Sequence, residues 1–227
     1  MTYFRELWSD TRRILTEHAD LLVIALVASL AITASYYHFV RIRALAPDMR
    51  GAVEILGRGL MFLTPALVSA RLLKIPFKEL GFNWGEPKKW LRDVLLLYVV
   101  MLPLLWFASR QPDFKNAYPY MRLARGGWQM FLLAELIQLA FMFCWEFLCR
   151  GYLLFGFFRK VGYAAVAVSV IPFVLLHIAK PELEAYGSAI AGIALAVVAL
   201  RAKSFYPAVI LHFAVAATLD LLSVIRL

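Results

Sequence analysis

Runs of apolar residues long enough to cross a bilayer recur along almost the whole chain, and they constrain its fold more than any single motif does. They fall at approximately 20–40, 52–73, 91–109, 131–158, 161–179, 187–200 and 205–224, against the roughly 17–25 residues that one helical crossing needs. In hydrocarbon every backbone N–H and C=O needs a partner within its own segment, and alternating barrel strands are not visible, so these runs predict helices. The expected fold class is all-α, a polytopic membrane helical bundle with about seven transmembrane helices, within a range of six to eight. Composition agrees, since 63% of the 227 residues are hydrophobic and only 17% are charged, more apolar than a soluble core requires. The longest connections, about 74–90 and 110–127, leave no room for a separate soluble domain, so residues 1–227 read as a single integral membrane domain. The fourth run is long enough to tilt or protrude. The sixth is short, with Gly187 and Gly192 weakening an unbroken helix.

Charge excludes several function classes. Arg5, Arg12 and Arg13 are mixed with Glu6, Asp10, Glu17 and Asp20, a poor leader for a cleaved signal peptide, so the first span is expected to be retained. Lys and Arg in alternate loops number 11 on the side of the N-terminus and nine on the other, the nine including Arg41, Arg43 and Arg226; the bias toward a cytoplasmic N-terminus is weak. The net charge of +9 is scattered among loops without a recognition module, which fits lipid headgroups as partners and not nucleic acid. Cys144 and Cys149 are too far apart on a helix for a disulfide. A thiol nucleophile near a histidine is the reactive reading of either, and a small buried hydrophobe is the commoner role.

Ionisable groups inside spans are functional candidates by default. In the C-terminal half the polar residues of the spans are Glu135, Gln138, Glu146 and Arg150, then His177 with Lys180-Pro181-Glu182-Leu183-Glu184 directly after it, then His212 and Asp220. Glu146 and Arg150 are four residues apart with the acid first, the favourable order for a pair on one helical face. Such a pair can serve only to neutralise itself between helices. Phe173 and His177 share the same spacing, so a ring can buttress an imidazole. A carboxylate and two imidazoles on three packed helices can hold and polarise one water, with the carboxylate as general base. The same trio is a possible zinc donor set, but the HExxH pair is absent and no further strong ligand is evident, so the expected site carries no metal or other cofactor.

The order Glu146-x-x-x-Arg150-Gly151, Phe173-x-x-x-His177 and His212 in the last span resembles the CAAX prenyl protease and bacteriocin-processing family of intramembrane proteases, over about residues 130–225. The resemblance implies a helical membrane bundle and a glutamic-type endopeptidase. It would cleave near the C-terminal or transmembrane tail of a membrane or lipidated protein, with Glu146, His177 and His212 as catalytic residues. Arg150, Phe173, Glu182 and Glu184 would be supporting residues. It also implies a multi-pass protein of a prokaryotic cytoplasmic membrane. Two positions depart from the family pattern. The first motif usually opens with two glutamates, the first taken as water activator, and here that place is Trp145. The last motif usually carries an asparagine or aspartate four residues after the histidine, and here that place is Ala216. Asp220 is no simple substitute, lying about 12 Å along the helix from His212. A tryptophan–glutamate first motif with a Lys-Pro-Glu segment is similar to one branch of the family. The alternative is an inactive relative acting as a membrane scaffold, peptide-binding or immunity protein; a transporter is disfavoured by the lack of matching interrupted halves.

Overall fold

The structure, a computed structural model, describes residues 2–39 and 47–225. Arg41, Arg43 and Arg226 of the charge count lie outside the described residues. The helices are α1 (Thr2–Glu17), α2 (Ala19–Phe39), α3 (Pro47–Leu72), α4 (Pro87–Ala108), the short α5 (Pro112–Ala117) and α6 (Trp128–Glu146). A wide π-helical segment, Phe147–Phe155, continues α6 and is followed by α7 (Gly156–Val161), α8 (Ala165–Leu175), α9 (Glu182–Ala202) and α10 (Tyr206–Ile225). Among the described residues six helical stretches are long and apolar enough to cross a membrane, and the protein is an integral, multi-pass, all-α bundle.

One of these stretches, Trp128–Leu175, has 48 residues. At 1.5 Å per residue it would run about 72 Å, more than twice a hydrocarbon core of about 30 Å. It turns back at a short 3₁₀ segment, Gly162–Ala164, and so supplies two legs. The returning leg is short. Its helix α8 has 11 residues and a length of about 16 Å, well short of a full crossing. After Leu175 the chain tightens into turns, with His177 N–H on the Val174 carbonyl and Lys180 N–H on the His177 carbonyl. Pro181 then opens α9 and places Glu182 and Glu184 in its first turn, where helix dipoles favour acids.

The sixth expected run, 187–200, is longer than its apolar core indicated: α9 is continuous over Glu182–Ala202. Gly192 does not interrupt it. A Cβ there would lie 3.1 Å from Phe173 and 3.4 Å from Val170, so the glycine lets α8 and α9 pack closely. The helices α2 and α3, α3 and α6, and α8 and α9 pack in pairs, while α10 touches α4, α6 and α9. The core runs along α6 and the π segment, where Phe62, Phe141 and Trp145 meet with ring centroids 5.3–6.2 Å apart. In contrast α1 is exposed from Tyr3 to Glu17, with Tyr3, Phe4, Leu7 and Trp8 on one side, a composition suited to a membrane interface.

Candidate active site

Glu146 ends α6, and the π segment that follows carries Arg150. Both side chains are completely buried. Arg150 Nη1 lies 3.0 Å from Glu146 Oε2 and donates to Oε1 at 3.3 Å, while Nη2 donates to the Gly192 carbonyl at 3.1 Å. The guanidinium also stands 4.0 Å from the Phe173 ring centroid. Gly151 matters here because a Cβ would come 2.5 Å from Phe147 and 3.1 Å from the Leu80 carbonyl. A larger residue would push the π segment away from its neighbours.

His212, on α10, places Nδ1 2.6 Å from Glu146 Oε1. Glu146 Oε1 already accepts from Arg150 Nη1, so it is the acceptor here as well and His212 Nδ1–H donates. This leaves His212 Nε2 as the open nitrogen. His177 is set in a different way, with Nδ1 2.7 Å from the Phe173 carbonyl. A carbonyl only accepts, so Nδ1 carries the proton and the neutral ring also presents Nε2 as a lone pair.

The two imidazoles stack at 5.9 Å between centroids. Trp145 closes the cluster with its ring 5.3 Å from His177 and 6.0 Å from His212. Phe173 lies 4.5 Å from His177 and 5.5 Å from His212. The three residues singled out in sequence therefore come together at one depth, although His177 reads as the end of a span. The short α8 is the reason. The indole of Trp145 occupies the place where the family pattern has its first glutamate, and its Nε1–H is buried without a hydrogen-bond partner.

The other acids are elsewhere. Glu184 accepts from the Tyr118 hydroxyl at 2.7 Å and pairs with Lys180 at 3.6 Å. Burial, then the Glu184 carboxylate, push the Tyr118 phenol well above its ordinary pKa, so it stays a neutral donor. Glu182 is exposed. Asp220 does not substitute for the residue missing at Ala216, because its Oδ1 accepts the Tyr120 backbone N–H at 2.7 Å. Tyr118 and Tyr120 come from the loop before α6 and carry no periodic signal in the sequence. Cys144 and Cys149 are buried free thiols. Among the described residues no group of three or more His, Cys, Asp and Glu side chains is arranged to hold a metal ion.

Arg150 cannot shuttle a proton, being charged at any accessible pH, and its contacts are structural. Arg150→Ala leaves Glu146 buried without its counter-charge, a loss of about 3–5 kcal/mol in comparable pairs. Reduced yield and a lower melting temperature in detergent are expected together with reduced activity. A stable, fully active Arg150→Ala protein would contradict this role.

No curated protein and no solved structure matches the chain. Residues 126–218, which hold Glu146, Arg150, Phe173, His177 and His212, match the family model described as Rce1-like, Type II CAAX prenyl endopeptidase Rce1-like, and it is to this protease family that the C-terminal part of the chain is similar.

Proposed function

We propose that the protein is an intramembrane endopeptidase that hydrolyses a peptide bond near the C-terminal or transmembrane tail of a membrane-associated protein, without a metal. The observation that carries this reading is the buried contact between Glu146 and His212, backed by Arg150. A carboxylate that fixes an imidazole tautomer and makes it more basic is the general-base arrangement of many hydrolases.

Both carboxylate oxygens of Glu146 face charged or polar partners, so Glu146 acts on water through His212. In the proposed reaction His212 Nε2 removes a proton from a water while His177 Nε2 accepts its second hydrogen and aims it. The water oxygen adds to the scissile carbonyl carbon, the carbonyl oxygen becomes an oxyanion, and the Trp145 indole N–H is a buried donor available to it. Collapse of the tetrahedral species breaks the C–N bond, and the imidazolium of His212 returns its proton to the leaving amine. Trp145→Phe keeps the ring and deletes the donor. It is expected to lower kcat by about 10²-fold, the usual cost of one oxyanion donor, with KM little changed; an unaltered kcat would remove Trp145 from the mechanism.

The test of the function is cleavage of a fluorogenic peptide bearing an apolar C-terminal tail by purified protein, in the presence and absence of a chelator. Cleavage that survives the chelator is expected. Abolition by the chelator and restoration by zinc would make the site a metal centre. Absence of cleavage of any tail, with specific binding of the peptide, would favour the scaffold.

A further inference from the structure

Glu135, Gln138 and Asp220 are buried in the spans and take no part in the reaction above. Glu135 and Gln138 reach toward Asp220 from α6. Yet neither carboxylate oxygen of Glu135 and neither polar atom of Gln138 completes a hydrogen bond of good geometry, although Gln138 is only 1% exposed. Orphaned polar atoms of this kind are rare in folded proteins and mark the place of a missing partner.

The chemistry of that partner follows from counting. The carboxyl oxygens of Glu135 and Asp220 and the Gln138 carbonyl are acceptors, against which the cluster sets one proton shared between the two carboxyls, the Gln138 amide and the Tyr120 backbone N–H, the last already used. Acceptors exceed donors, so the partner must donate. Lys180, the cation facing the cluster, is engaged by Glu184 and the Tyr118 hydroxyl and lies 4.0 Å over the Tyr120 ring. Water donates twice, accepts twice and suits a polar buried niche, where it makes about three hydrogen bonds.

The position of the cluster gives it a use. Glu146 meets His212 and Gln138 meets Asp220, so α6 and α10 run antiparallel with two polar layers about 12 Å apart. Between the layers the same rows place Met142 and Ala216, both buried, and Ala216 is the smallest residue that could stand there with a Cβ. On the outer side, a cavity of about 440 Å³ is lined by Tyr118, Lys115, Arg125, Leu219 and Ser223. We propose that Glu135, Gln138 and Asp220 bind a water cluster that enters past Tyr118 and feeds the Glu146–His212 site across the Met142–Ala216 step. Its destination rests on the hydrolytic reading above; the water site itself does not.

The experiment uses full-length protein with Cys144→Ala and Cys149→Ala, in unsealed membrane fragments. Gln138→Cys and, as a smaller change, Ala216→Cys are treated with a membrane-impermeant cationic methanethiosulfonate. Leu136→Cys, on an exposed flank, and Leu148→Cys, in the dry core, are the references. Thiolates form only in contact with water, so modification of Gln138→Cys and Ala216→Cys is expected to be about tenfold or more faster than either reference. Rates equal to the references would overturn the water site, as would slowing of the Gln138→Cys reaction when N-methylglucamine is replaced by sodium, which would identify a sodium site instead. Labelling requires no turnover. Rapid labelling of a protein that cleaves no tail would leave the water site standing and remove the protease.

Discussion

Glu146→Gln is expected to abolish most of the turnover, by about 10²-fold or more, because it removes the charge that orients His212 and stabilises the imidazolium formed during proton transfer. The glutamine side chain has nearly the same volume, and its carbonyl can still accept from His212 Nδ1–H. Its amide nitrogen can equally face the ring and impose the wrong tautomer. The geometry adds a second consequence. Arg150 is fully buried beside this carboxylate, so neutralising Glu146 leaves a guanidinium without its counter-charge, at a cost of about 3–5 kcal/mol. The Gly192 carbonyl and the Phe173 ring remain as partners, which keeps the fold within reach. Activity must therefore be normalised to monodisperse protein. Glu146→Gln combined with Arg150→Met removes both charges and is expected to recover stability without recovering turnover. Recovery of turnover in that pair would show that the carboxylate acts only as a structural counter-ion.

The second large effect belongs to the histidines. His212→Ala and His177→Ala are each expected to lower the rate by about 10²-fold or more, the scale of lost general-base catalysis. Combined, they should cost little more than either alone, since groups that act on one water are not additive. The structure makes this specific: the rings stack at 5.9 Å and each has its Nδ1 committed, one to Glu146 and one to the Phe173 carbonyl. Rates measured for the two single variants and the double variant complete the cycle. Losses that multiply would mean that the two imidazoles serve separate steps.

The helical bundle was legible because spanning-length apolar runs leave hydrocarbon-buried backbone no alternative to helices. Glu146, Arg150, Phe173, His177 and His212 were legible because charge and imidazole are expensive in such runs. Their mutual depth was not. The sequence extends the apolar run past Leu175 through Leu176, Ile178 and Ala179, so a helix of 11 residues looks like a spanning one. Nor does composition distinguish a π segment from an α-helix; Gly151 lies in the widened turn Phe147–Phe155 at a place with no room for a Cβ. Glu184 looked close to His177 in sequence, yet the start of α9 turns it toward Tyr118, 66 residues earlier. Trp145 read as the loss of an acid, and only the fold shows its indole against both imidazoles.

The central claim is that Glu146, through His212, drives the addition of water to a peptide bond. The most direct measurement is mass spectrometry of the products formed from a tail-bearing protein in proteoliposomes prepared in oxygen-18 water, with wild-type protein and Glu146→Gln side by side. The account predicts a single internal cut near the apolar tail, one heavy oxygen in the new carboxylate, and loss of both in Glu146→Gln at equal protein. Intact substrate with the wild-type protein, or the same labelled products at the same rate from Glu146→Gln, would contradict it.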